Sequence, residues 1–336
     1  MLHPTDNPRP LGGVRLALKL VDTVVKKRPL YTQLIVTRRC NLSCGYCFEY
    51  DAKSPPVPTE LLHQRISALH RLGTFHICMM GGEPLMHPEI DVLTAHAARQ
   101  SQVSITTNGF LLSDEIIDRL NNTGLTWMQV SVDQVKADKS LYIQKTLKTL
   151  RTKLERLKER ARFRILISMV LCEQTKDGFR DLIDAAHELD LPLGISIAND
   201  ASGQISVKGK EYVDLCDYYW EQFPAPQMVE LDYGRRLMRG ETPKWTCRGG
   251  SRYIYVDEHG EVQACPAGEQ KGKIGKQIVD YTDADVAYHY TSAKGCEKGC
   301  AVMCNYRASA LDNQPVRTIA TFLKNIARVP VVAARR

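Results

Sequence analysis

Three cysteines near the start of the chain have a spacing that suits metal chemistry. Cys40, Cys44 and Cys47 lie within eight residues, directly after a strand-like run at 31–37. Thiolates are the usual ligands of iron–sulfur clusters, and a 4Fe–4S cluster normally takes four of them. A set of three therefore leaves one iron open for another ligand. The alternative is a structural zinc site that a distant fourth ligand completes.

A second group of cysteines lies in the last third of the chain, around a hairpin expected at 252–256 and 261–265. Its members are Cys247, Cys265, Cys296, Cys300 and Cys304. Clustered cysteines in a reducing compartment more often bind metal than form disulfides. A small irregular segment of this kind usually needs a metal site or another cross-link to be stably folded. Three further cysteines occur singly in strand-like or helix-like segments, where they are expected to pack as small hydrophobes: Cys78, Cys172 and Cys216.

Composition predicts an ordinary globular protein. Of the 336 residues, 43% are hydrophobic and 25% are charged. No run approaches the roughly 18 apolar residues of a spanning helix, and the first residues lack the pattern of a secretory signal. We therefore expect a cytoplasmic protein, with attachment to the inner membrane surface as an alternative.

The net charge of +7 is concentrated at the two ends of the chain. Residues 14–28 have five basic residues and one acid, and residues 315–336 have five basic residues and no acid. The slightly acidic body between them argues against nucleic acid as a partner. Both ends have amphipathic helical periodicity, so they either close the ends of the fold or lie on an anionic membrane surface. The first interpretation is favoured, because apolar helix faces are usually core.

Strand-like and helix-like segments alternate from residue 31 onwards. Short apolar and β-branched runs predict strands at 31–37, 75–80, 103–107, 126–132, 163–171 and 192–198. Helical periodicity predicts helices at about 59–72, 88–101, 113–123, 139–161, 177–189, 209–223 and 226–239. Such alternation indicates a parallel sheet, either open and doubly wound or part of a barrel.

Four motifs follow the first four predicted strands, at the edge where parallel α/β folds build their sites. They are CNLSCGYC at 40–47, GGEP at 81–84, TNG at 107–109 and SVD at 131–133. Together they resemble the signature of the radical S-adenosylmethionine superfamily, over about residues 31–306. The resemblance implies a partial (β/α)6 TIM-like barrel with a small cysteine-rich C-terminal extension.

The resemblance also implies the cofactors. Cys40, Cys44 and Cys47 would hold a catalytic 4Fe–4S cluster whose open iron binds S-adenosylmethionine. One electron from the cluster would release a 5′-deoxyadenosyl radical, and a flavodoxin or ferredoxin would supply that electron. The glycines of the second motif are expected to let backbone approach the methionine portion. The residues expected to bind S-adenosylmethionine are Tyr46, Gly81, Gly82, Glu83, Asn108 and Ser131.

The second cysteine group resembles the start of a SPASM or twitch extension, which implies an auxiliary 4Fe–4S cluster. Five cysteines exceed the four ligands of one cluster, so one of them is spare or binds something else. A zinc staple is the alternative. The resulting segments are a basic N-terminal segment at 1–30, the partial barrel at 31–200, the auxiliary region at 201–314 and a basic C-terminal helix at 315–336.

The motifs specify how the chemistry starts and leave the substrate open. The first hypothesis is biosynthesis on a small-molecule or lipid-linked substrate. The second is maturation of a peptide, and the third is a non-catalytic iron–sulfur or zinc protein. Asp133 and Cys172 have the right chemistry to accept or donate hydrogen in the reaction, and packing is the alternative for the Cys172 thiol.

Overall fold

The computed structural model describes residues 11–45, 47, 51–137, 144–223, 229–267 and 272–328, with only the backbone described for 322–328. Within these ranges one sheet of nine strands has the order β6-β5-β4-β3-β2-β1-β7-β8-β9. The strands are β1 (Tyr31–Thr37), β2 (His76–Gly81), β3 (Gln102–Thr107), β4 (Trp127–Ser131), β5 (Arg164–Leu171), β6 (Leu193–Ile197), β7 (Tyr253–Val256), β8 (Glu261–Gln263) and β9 (Lys273–Gln277).

Among the described residues one helix precedes β1, one α-helix follows each of β1 to β6, and further helices lie in the C-terminal region. They are α1 (Gly13–Val25), α2 (Thr59–Arg71), α3 (Ile90–Ala98), α4 (Asp114–Asn121), α5 (Leu147–Arg160), α6 (Phe179–Glu188), α7 (Lys210–Gln222), α8 (Val229–Met238), α9 (Asp283–Thr291), α10 (Met303–Asn313) and α11 (Pro315–Arg328). No helix within the described ranges is long and apolar enough to cross a membrane.

The expected partial barrel is confirmed: β1 to β6 are parallel, and the sheet stays unclosed. The helix predicted at 139–161 begins later, at Leu147. Its start is fixed by Thr146, whose hydroxyl accepts a hydrogen bond from the Thr149 amide. Part of that prediction, 139–143, lies outside the described residues, as does 226–228 of the helix predicted at 226–239.

The predicted hairpin continues the barrel sheet. Its first strand, β7, pairs in parallel with β1, from Tyr31 opposite Tyr253 to Leu34 opposite Val256. The second strand, β8, then pairs antiparallel with both β7 and β9. The sheet is therefore continuous from β6 to β9, and the segment boundary placed at residue 200 stays a prediction.

The two faces of the sheet differ in chemistry because side chains alternate along each strand. Leu34 and Val36 of β1, with Ile77 and Met79 of β2, lie in the main core beneath the helices. The opposite face carries polar and aromatic groups. His76 hydrogen-bonds to Ser104 at 2.8 Å, and the Cys78 thiol lies 3.6 Å from the Thr106 hydroxyl. This polar face lines the inside of the partial barrel.

The expectation that the apolar face of the N-terminal helix packs into the core is wrong. Its apolar residues Val14, Leu18, Val21 and Val25 are exposed rather than buried against the barrel. The other side of the helix, on which Thr23 is fully buried, faces the body of the protein. In α11, Val316 and Ile319 are also exposed, while Phe322, Leu323 and Ile326 lie outside the described side chains.

Candidate active site at the carboxyl end of the sheet

The loop that carries the first three cysteines leaves β1 and is tied to the chain that follows it. The Cys40 amide donates to the Asp51 carbonyl at 2.9 Å, and the Asp51 amide donates to the Arg38 carbonyl at 2.7 Å. Within the loop, the Cys47 amide donates to the Cys44 carbonyl at 3.0 Å. These bonds hold the backbone of residues 38–40 against Asp51, and Cys47 against Cys44.

The three thiols of this loop lie close enough to influence one another. Burial is the main cause of the raised pKa values of Cys40 and Cys44, and the negative charge of the Cys47 thiolate raises both further. Three neighbouring thiolates are therefore unfavourable without a compensating cation, which an iron–sulfur cluster would supply. Tyr46 lies outside the described residues.

Gly81 and Gly82 bring the end of β2 against the cysteine loop. The Gly82 amide donates to the Thr37 carbonyl at 2.8 Å, and the Glu83 amide donates to the Arg39 carbonyl at 2.8 Å. A Cβ at Gly81 would lie 2.0 Å from the Thr37 oxygen. The backbone that approaches these glycines is thus that of the cysteine loop itself. Their contact with the methionine portion of a cofactor stays a prediction.

Glu83 joins the carboxyl ends of β2 and β3. Its carboxylate accepts from the Leu85 amide at 2.9 Å, the Thr107 hydroxyl at 2.7 Å and the Asn108 amide at 2.7 Å. Burial raises the pKa of this fully buried carboxyl, and the three donors oppose that rise. Glu83 therefore positions the loops that surround the thiols.

Asn108 reaches from β3 to the cysteine loop. Its amide nitrogen donates to the Asn41 side-chain oxygen at 2.7 Å and lies 3.7 Å from the Cys40 sulfur. Its own oxygen accepts from the Phe110 amide at 3.0 Å, which fixes the orientation of the group. Hydrogen bonds to ligand sulfurs are one of the factors that set cluster potentials. Ser131 ends β4 at the same edge of the sheet and is half-buried.

A buried ion pair lies behind the thiols. Lys145 Nζ is 3.3 Å from Asp133 Oδ2, and the Asp133 amide donates to the Lys145 carbonyl at 2.8 Å. Burial acts to lower the pKa of Lys145, but Asp133 and Cys44 outweigh it, so the pKa is raised. Lys145 is thus a cation held beside the cysteine loop. Sequence reasoning missed Lys145, because a lysine two residues before the first residue of α5 gives no local sign of a contact with the cysteine loop.

Asp133 and Cys172 have different surroundings. Asp133 is engaged with Lys145, whereas the Cys172 thiol lies 3.4 Å from the Thr175 hydroxyl in the turn after β5. Both side chains are buried. The structure does not bring the two together by any described contact, and a direct role for either in hydrogen transfer stays a prediction.

The second cysteine group divides into four and one. Burial raises the pKa of Cys247 to about 12, and the thiols of Cys300, Cys296 and Cys265 add to the rise. Burial also raises the pKa of Cys300 to about 12, with Cys296 and Cys265 again among its neighbours. These four thiols are therefore near enough to raise one another's pKa. This number matches the ligand set of one 4Fe–4S cluster.

Cys304 lies apart from these four, on the polar face of the barrel. It is the second residue of α10, and its sulfur accepts from Gln33 Nε2 at 3.7 Å. The Gln33 oxygen in turn accepts from the Tyr253 hydroxyl. One helical turn later, Arg307 pairs with Glu230 at 2.5 Å while half of its side chain stays accessible. A thiol, an amide and a cation thus line the interior.

The donor sets fit the clusters that the sequence implies. Three neighbouring thiols at the carboxyl end of β1 suit a cluster with one open iron, and four in the second cysteine group suit a fully ligated one. Within the described ranges, no three Cys, His, Asp or Glu side chains are placed to hold one metal ion. That is compatible with clusters, because their thiolates bind separate irons.

A substitution at Gly82 tests how the loop is supported. Its Cβ would lie 2.3 Å from the carbonyl oxygens of both Arg38 and Arg39, and backbone cannot yield as a flexible side chain does. We expect Gly82→Ala to displace the cysteine loop, to lower stability by about 1–3 kcal/mol and to remove most of the iron bound there. Iron content and urea unfolding measure this.

The matched control is Gly194→Ala in β6, where the nearest atom to a Cβ is 3.5 Å away. That variant should keep its iron. Equal iron content in the two variants would contradict the close approach of the loop.

A second substitution tests the buried ion pair between Asp133 and Lys145. Asp133→Asn leaves the Lys145 charge buried without its carboxylate, and breaking a buried pair typically costs about 3–5 kcal/mol. Glu155→Gln is the control, because its pair with Arg151 is exposed and worth under about 1 kcal/mol. Urea unfolding of the anaerobic apoprotein compares them, and equal losses would show that Asp133 is not supporting the buried lysine.

Comparison with known proteins identifies a family domain within the chain. The model of the Radical SAM superfamily matches residues 34–186. A GTP 3′,8-cyclase of Chlorobaculum tepidum is 36% identical over 114 residues, which are 32% of this chain and 34% of that enzyme. The chain thus matches about a third of that relative's length. The Helicobacter pylori GTP 3′,8-cyclase is 24% identical over 70% of this chain and 75% of its own length.

The fold is also similar to that of a solved structure. Streptococcus suis SuiB, bound to its precursor peptide SuiA, superposes with a TM-score of 0.61 at 15% identity. The match covers 89% of this chain and 77% of SuiB. The thiol loop, its supports at the strand ends and the family match agree over the same residues. Residues 34–186 are thus a Radical SAM domain.

Proposed function

We propose that this chain is an enzyme that reductively cleaves S-adenosylmethionine to a 5′-deoxyadenosyl radical and uses the radical to modify a small-molecule or lipid-linked biosynthetic substrate. Membership of the superfamily implies a 4Fe–4S cluster and S-adenosylmethionine. The observation that carries the proposal is the placement of Cys40, Cys44 and Cys47 on one braced loop, at the carboxyl edge of a sheet whose inner face is polar.

The chain's own residues position the reaction. Cys40, Cys44 and Cys47 would hold the cluster, which supplies the electron that cleaves S-adenosylmethionine when both are bound. Gly82 and Glu83 keep the cysteine loop against the end of β2, and Asn108 donates towards the Cys40 sulfur. Gly81, Gly82, Glu83, Asn108 and Ser131 end the strands around this loop, so they are the residues we assign to cofactor binding.

The inner face of the barrel is the proposed substrate site. Its accessible cation, Arg307, suits a substrate that carries an anionic group, such as a phosphate or carboxylate. Gln33 and Tyr253 add groups that can hydrogen-bond to a polar substrate. The GTP 3′,8-cyclases among the relatives support the small-molecule class.

The C-terminal region would hold an auxiliary 4Fe–4S cluster. We assign its ligands to Cys247, Cys265, Cys296 and Cys300, because these thiols influence one another and Cys304 is directed elsewhere. Such a cluster could accept an electron from a product radical. The partner that reduces the catalytic cluster would be a small electron carrier such as a flavodoxin or ferredoxin.

The test is production of 5′-deoxyadenosine by anaerobically reconstituted, reduced protein. We expect methionine and 5′-deoxyadenosine in equal amounts, and none from the triple variant in which Cys40, Cys44 and Cys47 are Ala. A parallel reaction with added GTP tests whether this chain uses the substrate named for the related GTP 3′,8-cyclases. Equal background cleavage by both proteins would overturn the proposal.

A further inference from the structure

The N-terminal helix α1 presents one fully apolar face to solvent. Val14, Leu18, Val21 and Val25 follow one another at spacings of four, three and four, so they share one side of the helix. Their exposure lies between 60% and 73%. An aligned row of exposed aliphatic side chains differs from the single exposed apolar residues of any protein surface and marks an interaction site.

This face is held outward by the body of the protein. Arg252 is buried beneath α1 and donates to the Thr23 carbonyl at 2.7 Å and to the Val24 carbonyl at 3.1 Å. At the other end, Gln102 donates to the Leu11 carbonyl at 2.7 Å. The last turn of the helix and the chain just before its first residue are thus held to the body. Burying the outer face against the barrel would break these bonds.

The C-terminal helix α11 starts from the same buried arginine. Arg252 pairs with both oxygens of Asp312, at 2.8 and 2.9 Å, near the end of α10. α11 begins three residues later, and its first turns expose Val316 at 81% and Ile319 at 49%. One guanidinium therefore joins the end of α1 to the start of α11. We call Val14, Leu18, Val21, Val25, Val316 and Ile319 the α1/α11 face.

Basic residues are concentrated in the two segments of the sequence that carry this face. Residues 14–28 and 315–336 together hold ten basic residues and one acid, while the rest of the chain is slightly acidic. A second copy of the chain would bring the same positive charge to a self-contact and would be repelled. An anionic lipid surface instead complements both the charge and the apolar row.

We propose that the α1/α11 face docks on the surface of an anionic lipid bilayer. The helices lie in the interface, with their aliphatic residues among the headgroups and upper acyl chains and their basic residues beside lipid phosphates. Attachment through two such interfacial helices would be peripheral and reversible. This inference is independent of the radical chemistry. It places the protein where a lipid-linked substrate would be found.

Vesicle flotation with the full chain tests the docking. We expect binding to phosphatidylcholine vesicles that contain phosphatidylglycerol, weaker binding to phosphatidylcholine alone, and release by added salt. Leu18→Gln removes one aliphatic group from the face and should weaken binding roughly tenfold, the equivalent of one buried leucine side chain. Its exposure means that the fold does not depend on it.

Leu61→Gln is the matched control, because Leu61 is an exposed leucine, at 43%, on α2. That variant should bind vesicles as the unmodified chain does. Three results would overturn the proposal: no binding at low salt, equal loss in the two variants, or a lipid-independent dimer that Leu18→Gln dissociates. The last would assign the face to a second copy of the chain.

Discussion

Replacing any one of Cys40, Cys44 and Cys47 by alanine is expected to abolish cleavage of S-adenosylmethionine. Each thiol is one of three on a loop whose ends are fixed by the bonds between Asp51 and the backbone of residues 38–40. Loss of one thiolate leaves the catalytic cluster with two protein ligands, and we expect it to lose iron during desalting.

The measurements are 5′-deoxyadenosine formation and iron content after anaerobic reconstitution. Cys216→Ala is the control, because Cys216 is a free cysteine buried in the core within α7. That variant should keep both properties. Cleavage retained by any of the three loop variants would refute the ligand assignment, whatever its effect on stability.

Much of the barrel could be predicted because its signals are local. A run such as YTQLIVT is short, apolar and β-branched, and it forms β1 with the predicted bounds. Helices between such runs force a parallel order, and that order places the four motifs at one edge. The site residues on these motifs lie near one another because they follow neighbouring parallel strands.

Long-range contacts could not be predicted in this way. The hairpin was visible in the sequence, but nothing local indicates that β7 joins β1 at the edge of the barrel sheet. Lys145 is equally hidden, because its distance to the cysteine loop depends on how the chain returns after β4. The helical periodicity of α1 correctly predicts an amphipathic helix. It does not specify which face of that helix packs against the body of the protein.

Cys304 is the clearest example of a residue whose position in the fold could not be predicted from its spacing in the sequence. Cys296, Cys300 and Cys304 are evenly spaced in sequence, which suggests one ligand set. A helix begins between the last two, at Met303. It turns Cys304 to the same side as Arg307 and Ala308, at helical spacing and towards the barrel interior. Even spacing was therefore a poor guide, because the backbone changes conformation within it.

Iron binding by the C-terminal cysteines should follow this division. In a chain whose Cys40, Cys44 and Cys47 are all Ala, reconstitution is expected to give about four iron atoms and four sulfides. Further replacement of Cys247, Cys265, Cys296 or Cys300 by Ala should abolish this binding. Each change leaves three of four thiolates around a fully ligated cluster, with Cys304 directed away from them.

Cys304→Ala in the same background is the matched control, because it removes a thiol only four residues from Cys300. It should keep the full iron content, since its contacts are with Gln33 and the barrel interior. Iron, sulfide and zinc analysis with the absorbance of the cluster measures all five variants. Loss of iron in Cys304→Ala, with retention in one of the other four, would move the ligand set into the barrel. Stoichiometric zinc without iron would show that the region is a structural zinc site. Because zinc has no redox chemistry, such a site could not accept an electron from a substrate radical.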